Sequence, residues 1–281
     1  MADHARVGQS QNYFAARFGL VLRSLTRLVR APSDPLHFEA ARILGRRIFW
    51  LAAIGAPAIV ALMYVVDATE ISLMPPRGSA GLWPLRILTD FGKASYVLWT
   101  LAAMLFAVLL VFPALDAGLR SRLLRWATYL EFLFLAVLTP VLAGEIVKWI
   151  VGRGRPFVGG GADVFTFSHF AGSEAYASFP SAHAITSFAL AFAVSAIWPQ
   201  ARLAMSGYAV LIAVSRLVLL AHHPSDVVAG ALIGVAGAML VRYWFAARGL
   251  GFAIRSDGAT VALAGSRPGR LKGVAREASA P

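Results

Sequence analysis

Six apolar runs, separated by short polar segments, dominate the chain. Each is close to the roughly 20 residues that an α-helix needs to cross a bilayer. Only 14% of the residues are charged and the mean hydropathy is +0.68, which is unlike an ordinary soluble domain. The pattern predicts an all-α polytopic membrane protein, a bundle of six transmembrane helices. The predicted spans are Ile48–Val66, Ser95–Phe112, Trp126–Ile150, Pro180–Trp198, Leu203–Leu220 and Val227–Phe245.

Basic segments flank the predicted bundle on both sides. In residues 11–30, apolar side chains recur at helical spacing between arginines, which predicts an amphipathic interfacial helix. A secretory signal is the alternative, but its apolar stretch would lie nearer Met1, so we expect the segment to stay in the mature protein. Residues 1–47 are assigned to this N-terminal segment, 48–246 to the membrane domain, and 247–281 to a basic cytoplasmic tail that is predicted to be disordered.

Positive charge is in excess, with 26 Lys and Arg against 14 Asp and Glu and a formal net charge of +12. Such a charge suits either nucleic acid or anionic lipid headgroups. No recognised nucleic-acid motif accompanies it, so we expect headgroups as partners and no nucleic acid. The chain has no cysteine, which excludes disulfides, thiolate catalysis and Cys-ligated metals. Nothing in the sequence indicates an oligomeric state.

Lysine and arginine are divided unevenly between the two membrane faces, with 19 on the face that holds both termini and 7 on the other. The positive-inside rule therefore predicts that both termini are cytoplasmic. Residues 68–94 and 157–179 then lie on the outer face, where we expect them to border the substrate entrance. Gly159–Gly161 would let the second of these loops move as a lid. Gly230 and Gly234 form a G-x-x-x-G pattern, which permits close helix packing.

Two short polar blocks lie at outer ends of predicted spans. KWIVGRGRP contains Lys148 and Arg155, whose point charge and planar guanidinium both suit phosphate. Anchoring of the helix end at the headgroups is the alternative. FPSAH places Ser181 and His183 at the start of a span, where free backbone N–H groups favour an anion. Alternatively, Ser181 is only a helix cap and His183 a polar interfacial residue.

The third block, SRLVLLAHHPSD, is the most informative. Arg216 lies within an apolar run, and an ionisable residue at such a depth indicates a functional site. Pro224 is predicted to open the sixth span, which places Asp226 in its first turn. From there the carboxylate can reach back to His222 and fix the tautomer of its imidazole. A capping role for Asp226, with His222 incidental, is the alternative.

Together the blocks resemble the type 2 phosphatidic acid phosphatase superfamily of membrane lipid phosphate phosphatases. The family pattern is Lys-six residues-Arg-Pro, then Pro-Ser-Gly-His, then Ser-Arg-five residues-His-three residues-Asp. This sequence matches it between Lys148 and Asp226 with one departure, Ala182, where the family has Gly. Alanine is tolerated there unless the position needs a positive φ.

The resemblance implies a role for each motif residue. His222 would attack phosphorus to form a phosphohistidine, with Asp226 orienting it, and His183 would protonate the leaving oxygen and then activate water. His223 competes as nucleophile, but only His222 has the motif spacing. No metal or other cofactor is expected, because fixed cations supply the charge. The residues that would bind the phosphoryl oxygens are Lys148, Arg155, Ser181 and Arg216.

The leading hypothesis is a metal-independent phosphatase that acts on a lipid phosphate or diphosphate at the outer membrane face. Phosphatidic acid, phosphatidylglycerol phosphate, isoprenyl diphosphate and lipid A are all compatible with the sequence. A phosphotransferase with another acceptor than water would use the same site. A vanadate-dependent haloperoxidase has a similar pocket, but it is a soluble protein, so the six predicted spans argue against it. A transporter or scaffold with a vestigial site would be free to lose the histidines, yet His183 and His222 are both present. The abundance of Ala, Arg and Gly suggests a bacterial inner membrane, with the site facing the periplasm.

Overall fold

The computed structural model describes residues 17–158 and 163–263, so the predicted lid glycines Gly159–Gly161 lie outside the described residues. Within these ranges the protein is mostly helical, and single turns of 3₁₀ helix lie at Ala80–Leu82, Phe112–Ala114, Glu174–Tyr176 and Pro199–Ala201. The helices and strands are α1 (17–29), α2 (His37–Val65), α3 (Asp67–Leu73), α4 (Trp83–Asp90), α5 (Ala94–Val111), α6 (Ala117–Val151), α7 (Ala182–Ile197), α8 (Arg202–Val218), α9 (Pro224–Ala247), β1 (Phe252–Ile254) and β2 (Thr260–Ala262).

In the described part of the chain, five helical stretches are long and apolar enough to cross a membrane. They are His37–Val65, Ala80–Ala114, Ala117–Val151, Pro199–Val218 and Pro224–Ala247. The fourth predicted span, α7, is apolar but has only 16 residues, or about 24 Å at 1.5 Å per residue, short of a hydrocarbon core of about 30 Å. The chain is an integral membrane protein with five such helices over residues 17–158 and 163–263, and the six-span bundle stays a prediction.

The helix α6 is longer than the predicted third span and takes in the basic segment before it. Asp116 caps its first turn, because its carboxylate accepts a hydrogen bond from the backbone N–H of Leu119 at 2.9 Å. The arginines at 120, 122 and 125 therefore lie on a helix rather than in a loop. The result is a 35-residue helix whose last turn carries Lys148 of the candidate site.

Helices α7 and α9 pack backbone to backbone, as the G-x-x-x-G pattern predicts. A Cβ on Gly230 would lie 2.5 Å from the carbonyl oxygen of Ser181, and one on Gly234 would lie 2.4 Å from that of Ile185. Neither helix could approach so closely with a side chain in between. The contact brings the first turns of the two helices together, and Ser181 N donates to Asp226 O at 3.0 Å.

The region predicted as a disordered tail begins instead with an antiparallel hairpin, in which β1 pairs with β2. The aromatic ring of Phe252 is fully buried, 4.7 Å between centroids from Phe132 on α6. Ile254 is buried beside the same cluster. Burial of these apolar side chains is what orders this part of the tail, while residues 264–281 lie outside the described residues.

The N-terminal segment is helical over residues 17–29. Its outer side chains, Phe18 and Val29 among them, are exposed, while Ser24 donates to Glu131 on α6 at 2.6 Å. The indole of Trp244 on α9 donates to the carbonyl of Leu28 at 2.9 Å. These contacts attach α1 to the bundle. Its location at the membrane interface stays a prediction.

Candidate active site

The first motif block lies where α6 ends. Gly152 closes the helix with a φ of 56°, and a Cβ there would lie 1.9 Å from the carbonyl oxygen of Ser168, so only glycine fits. Lys148 lies in the last turn of α6 and pairs with Glu145 at 2.5 Å. Arg155 follows in the loop and pairs at 2.8 Å with Glu174, whose side chain is 92% exposed. The two predicted phosphate ligands of this block, Lys148 and Arg155, therefore lie at one end of the bundle, which we call the site end.

The second block opens α7 at the site end. Ser181 is the residue that precedes the helix, and its backbone bond to Asp226 joins it to the start of α9. Ser181 is fully buried, and its hydroxyl has no hydrogen-bond partner among the described residues. His183 lies in the first turn of α7, and its Nε2 is likewise buried without a partner in the described part of the chain.

In the third block, Arg216 lies in the last turn of α8 and His222 in the loop before α9. Nδ1 of His222 is 2.8 Å from the backbone carbonyl of Ser178. A carbonyl oxygen only accepts, so Nδ1 carries the proton and Nε2 keeps its lone pair. The pKa of His222 is lowered well below its usual value by burial, and then by the positive charges of Arg216 and Arg155. His222 is therefore held as a neutral imidazole with a nucleophilic Nε2.

Asp226 does not contact His222 in the way that the sequence predicts. Its Oδ2 is 4.0 Å from Nδ1 of His222, too far for a hydrogen bond. The same oxygen accepts from the hydroxyl of Ser178 at 2.5 Å and from the backbone N–H of His223 at 2.9 Å. The cause is that Ser178 lies between them, bonding Asp226 with its side chain and His222 with its carbonyl. Asp226 thus positions His222 through Ser178.

Arg153 is a residue that the sequence analysis counted only as a charge. Its guanidinium is fully buried and donates to Asp226 at 2.7 Å, to Ser225 at 2.6 Å and to Asp67 at 2.9 Å. Two further bonds from it reach the carbonyl of Val164. Arg153 therefore joins the end of α6 to the first turn of α9 and to α3. The sequence does contain a signal for this ion pair. Asp67 directly follows an apolar run, and an acidic side chain buried there needs a cationic partner.

A third carboxyl, that of Glu70, lies one turn after Asp67 on α3. It is buried, and within the described residues neither of its oxygens has a hydrogen-bond partner. Its pKa is raised to about 8, mainly by burial and in addition by the negative charges of Asp67 and Asp226. Glu70 is therefore mostly protonated at neutral pH, which leaves Arg153 to neutralise two carboxylates rather than three.

The seven predicted site residues come together at the site end. His183 lies close enough to four cations to interact electrostatically with each, and His222 interacts in the same way with His183. Three of the four cations come from the sequence motifs and Lys93 does not. The four cations are Arg216, Lys93, Arg155 and Lys148.

The segment 68–94, predicted to border the entrance, lies against this cluster. The hydroxyl of Thr89 accepts a hydrogen bond from Arg216 at 3.0 Å. A Cβ on Gly92 would lie 2.5 Å from Cγ2 of Ile212 and 3.4 Å from Cδ2 of His183, so glycine lets the segment pack closely against α8 beside the imidazole. Arg77 stacks on the ring of Phe157 at 3.6 Å, linking this segment to the loop after α6. The sequence could not assign these contacts, because no motif marks the residues that make them.

Four buried polar atoms of the predicted site residues have no hydrogen-bond partner in the described part of the chain. Buried polar groups are costly unless they are bonded, so a concentration of them marks a place for a ligand. Three are donors on cationic or hydroxyl side chains, which suits the oxygens of a phosphoryl group. The fourth is an imidazole nitrogen that can transfer a proton. The atoms are Arg155 Nε, Ser181 Oγ, Arg216 Nε and His183 Nε2.

The positive charge of the site comes from lysine and arginine side chains. Over residues 17–158 and 163–263, no group of three or more His, Asp or Glu side chains is placed to hold a metal ion. Fixed guanidinium and ammonium groups can stabilise the charge of a phosphoryl group in transfer. The arrangement has the parts for phosphoryl transfer to a neutral histidine.

Comparison with known proteins agrees with this chemistry. A sequence model of the PAP2 superfamily matches residues 128–250, the stretch that contains all seven predicted residues. A lipid A 1-phosphatase of Rhizobium johnstonii is 29% identical over 72% of this chain and 82% of its own length. A lipid A 1-phosphatase of Rhizobium etli is 28% identical over 61% of this chain and 75% of its own. No solved structure matches. The motif residues gathered at one end of an apolar helical bundle lie within the stretch that matches the PAP2 superfamily, and this match and the two relatives together support membership of that superfamily.

Proposed function

We propose that the protein hydrolyses the phosphate ester or diphosphate of a membrane lipid by way of a phosphohistidine on His222. The observation that carries the proposal is the state of this imidazole. Its Nδ1 proton is held by the carbonyl of Ser178, which leaves the Nε2 lone pair beside the guanidinium groups of Arg155 and Arg216. A neutral nucleophile next to fixed cations is what attack on an anionic phosphate requires.

In the first step, Nε2 of His222 forms a bond to phosphorus while the bond from phosphorus to the lipid oxygen breaks. The leaving oxygen takes a proton from Nε2 of His183, which has no other partner in the described residues. His183 must be an imidazolium at this step, and the negative charge of the bound phosphate favours that form against the four surrounding cations. Charge on the non-bridging oxygens is stabilised by Arg155, Arg216 and the hydroxyl of Ser181. The dephosphorylated lipid then departs into the bilayer.

In the second step, water attacks the phosphohistidine. His183, which gave up its proton in the first step, takes one from the water as the new bond to phosphorus forms. The bond between phosphorus and Nε2 of His222 breaks, and inorganic phosphate leaves. Both histidines return to their starting protonation states, so the cycle balances without a cofactor.

The substrate that we favour is lipid A phosphorylated at position 1. This choice rests on the names of the two relatives, which are both lipid A 1-phosphatases. The tail of the substrate would stay in the bilayer while its phosphate reaches the site end of the bundle. The positive-inside count favours a site end on the outer face of the inner membrane. Transfer to another acceptor would need the same phosphohistidine, and no observation here favours it.

The test is phosphate release by purified protein from lipid A, phosphatidic acid, phosphatidylglycerol phosphate and an isoprenyl diphosphate, without any added acceptor. We expect lipid A to be the best substrate and His222→Ala to lower the rate at least about a thousandfold. His169→Ala, which removes an exposed histidine on the loop after α6, is the matched control and should stay active. Phosphate release from none of the lipids, or undiminished release by His222→Ala, contradicts the proposal.

A further inference from the structure

A pocket lies between α7, α8 and α9 at the end of the bundle opposite the site end. It has a volume of about 320 Å³, and Arg202 and Arg242 both line it. A smaller pocket of about 80 Å³ adjoins it through Phe192 and Arg242, and Arg47 of α2 lines that one. Three arginines from three different helices therefore line two adjoining pockets.

The charge of these arginines has no acidic counterpart among the residues that line the two pockets. Within the described residues, none of the three arginines forms an ion pair. Arg242 donates to the carbonyl of Thr260 in the hairpin, but its Nε is buried without a hydrogen-bond partner in the described part of the chain. An anion in this space would offset the cost of that arrangement.

The walls of the larger pocket are otherwise apolar apart from two hydroxyls, Ser195 and Ser206. The neighbouring outer face of α8 is apolar as well, with Leu203 86% exposed and Val210 52% exposed. A soluble anion would gain nothing from these surfaces, whereas an acyl chain would. The apolar side chains of the pocket are Phe188, Ala191, Phe192, Ala196, Ala209, Val210 and Val235.

We infer that this pocket binds an anionic membrane phospholipid, with its phosphate between Arg202 and Arg242 and an acyl chain along α8. Basic pockets between helices are known to hold such headgroups. The lipid would join α7, α8 and α9, the helices whose other ends carry five of the seven proposed site residues. Its binding would therefore stabilise the bundle against unfolding. The inference does not depend on the reaction proposed for the site end.

The experiment titrates delipidated protein in neutral detergent with phosphatidylglycerol or with phosphatidylcholine of the same acyl chains. Bound lipid is counted by native mass spectrometry, and the thermal unfolding midpoint is followed alongside. We expect phosphatidylglycerol to bind at least about tenfold more tightly, because it adds a charged partner for the arginines. Arg202→Gln, and Arg202→Gln combined with Arg242→Gln, should abolish this preference. Arg202 is exposed and its side chain makes no hydrogen bond within the described residues, so the single variant is expected to fold.

The matched control is Arg122→Gln combined with Arg125→Gln, which removes two exposed charges near the start of α6, at the same end of the bundle. It should keep the preference for phosphatidylglycerol. Equal loss in this control would show a general effect of surface charge and would overturn the inference. Equal binding of the two lipids overturns it as well. So does displacement of the lipid by inorganic phosphate at similar concentration, because the pocket would then be a site for soluble anions.

Discussion

At the residue scale, two arginines that lie two positions apart have different tasks. Arg153 is fully buried, and its guanidinium donates hydrogen bonds to Asp67, Asp226, Ser225 and the carbonyl of Val164. Within the described residues, Arg155 forms an ion pair only with the exposed Glu174, and its buried Nε–H has no hydrogen-bond partner. The first arginine therefore holds the structure of the site, and the second is available to substrate.

This difference predicts opposite outcomes for the same substitution. Arg153→Gln leaves two buried carboxylates without a cation, which we expect to cost about 3–5 kcal/mol of unfolding free energy. Arg155→Gln should keep the stability and lower turnover by about 10²–10³-fold, as loss of a donor to the developing charge does. Thermal unfolding in detergent and phosphate release measure the two effects. Similar stability losses in both variants would show that the division of tasks is wrong.

The proton donor is predicted to be His183. His183→Ala should lower phosphate release from a lipid substrate by about 10²–10⁴-fold, because its alkoxide leaving group needs a proton. An aryl phosphate has a leaving group that needs little protonation, so its first step should suffer much less. Burst-phase release of the aryl alcohol and steady-state lipid turnover give the comparison. Equal losses on both substrates would remove the acid role from His183.

At the scale of elements, the close contact of α7 and α9 sets the position of the site. Gly230 and Gly234 let the two backbones touch, and this contact brings Ser181 to Asp226. Ser178 then reaches both Asp226 and His222 from the loop before α7. The histidine is therefore oriented by helix packing as much as by its own neighbours.

Gly230→Ala should separate these helices, since the added Cβ would lie 2.5 Å from the backbone oxygen of Ser181. We expect a loss of about 1–3 kcal/mol in stability and a fall in turnover. Gly207→Ala in α8 is the control, because a Cβ there meets nothing within 4 Å and alanine favours the helix. Unfolding midpoints and phosphate release are measured for both. A neutral Gly230→Ala would contradict the contact.

The sequence predicted some elements of the fold accurately and missed others. The apolar runs placed α5 within one residue at each end, and the seven residues that the motifs predict for the site lie in one cluster, while their roles stay predictions. The two acidic partners of Arg153 lie 86 and 73 residues away in the chain, so no local pattern links them to it. The hairpin was missed because two strands of three residues carry little periodicity, and their burial depends on Phe132 of a distant helix.

At the scale of the whole molecule, the bundle has two ends with different chemistry. The site end gathers the motif residues, and around two pockets the opposite end gathers arginines that form no ion pair within the described residues. The uneven division of lysine and arginine predicts that the arginine-rich end faces the cytoplasm. Substrate would then be taken from the outer leaflet, while anionic lipid of the inner leaflet holds the other end.

The absence of native cysteine allows a clean test of this orientation. Ser72→Cys at the site end and Ser121→Cys at the start of α6 are near-isosteric changes of two exposed serines. In spheroplasts, a membrane-impermeant maleimide should label the first and should label the second only after permeabilisation, because of the predicted topology. The reverse pattern would place the site end in the cytoplasm.

The central claim is that His222 carries the phosphoryl group, and the most direct measurement is to isolate that intermediate. An aryl phosphate labelled at phosphorus is given to His183→Ala, in which the first step continues and the attack by water is slowed. After an alkaline quench, we expect label on the peptide that contains His222. We expect the same in His183→Ala combined with His223→Ala, and no label when His222→Ala is added instead. Label on His223, or aryl alcohol release with no phosphorylated protein, would show that His222 is not the nucleophile.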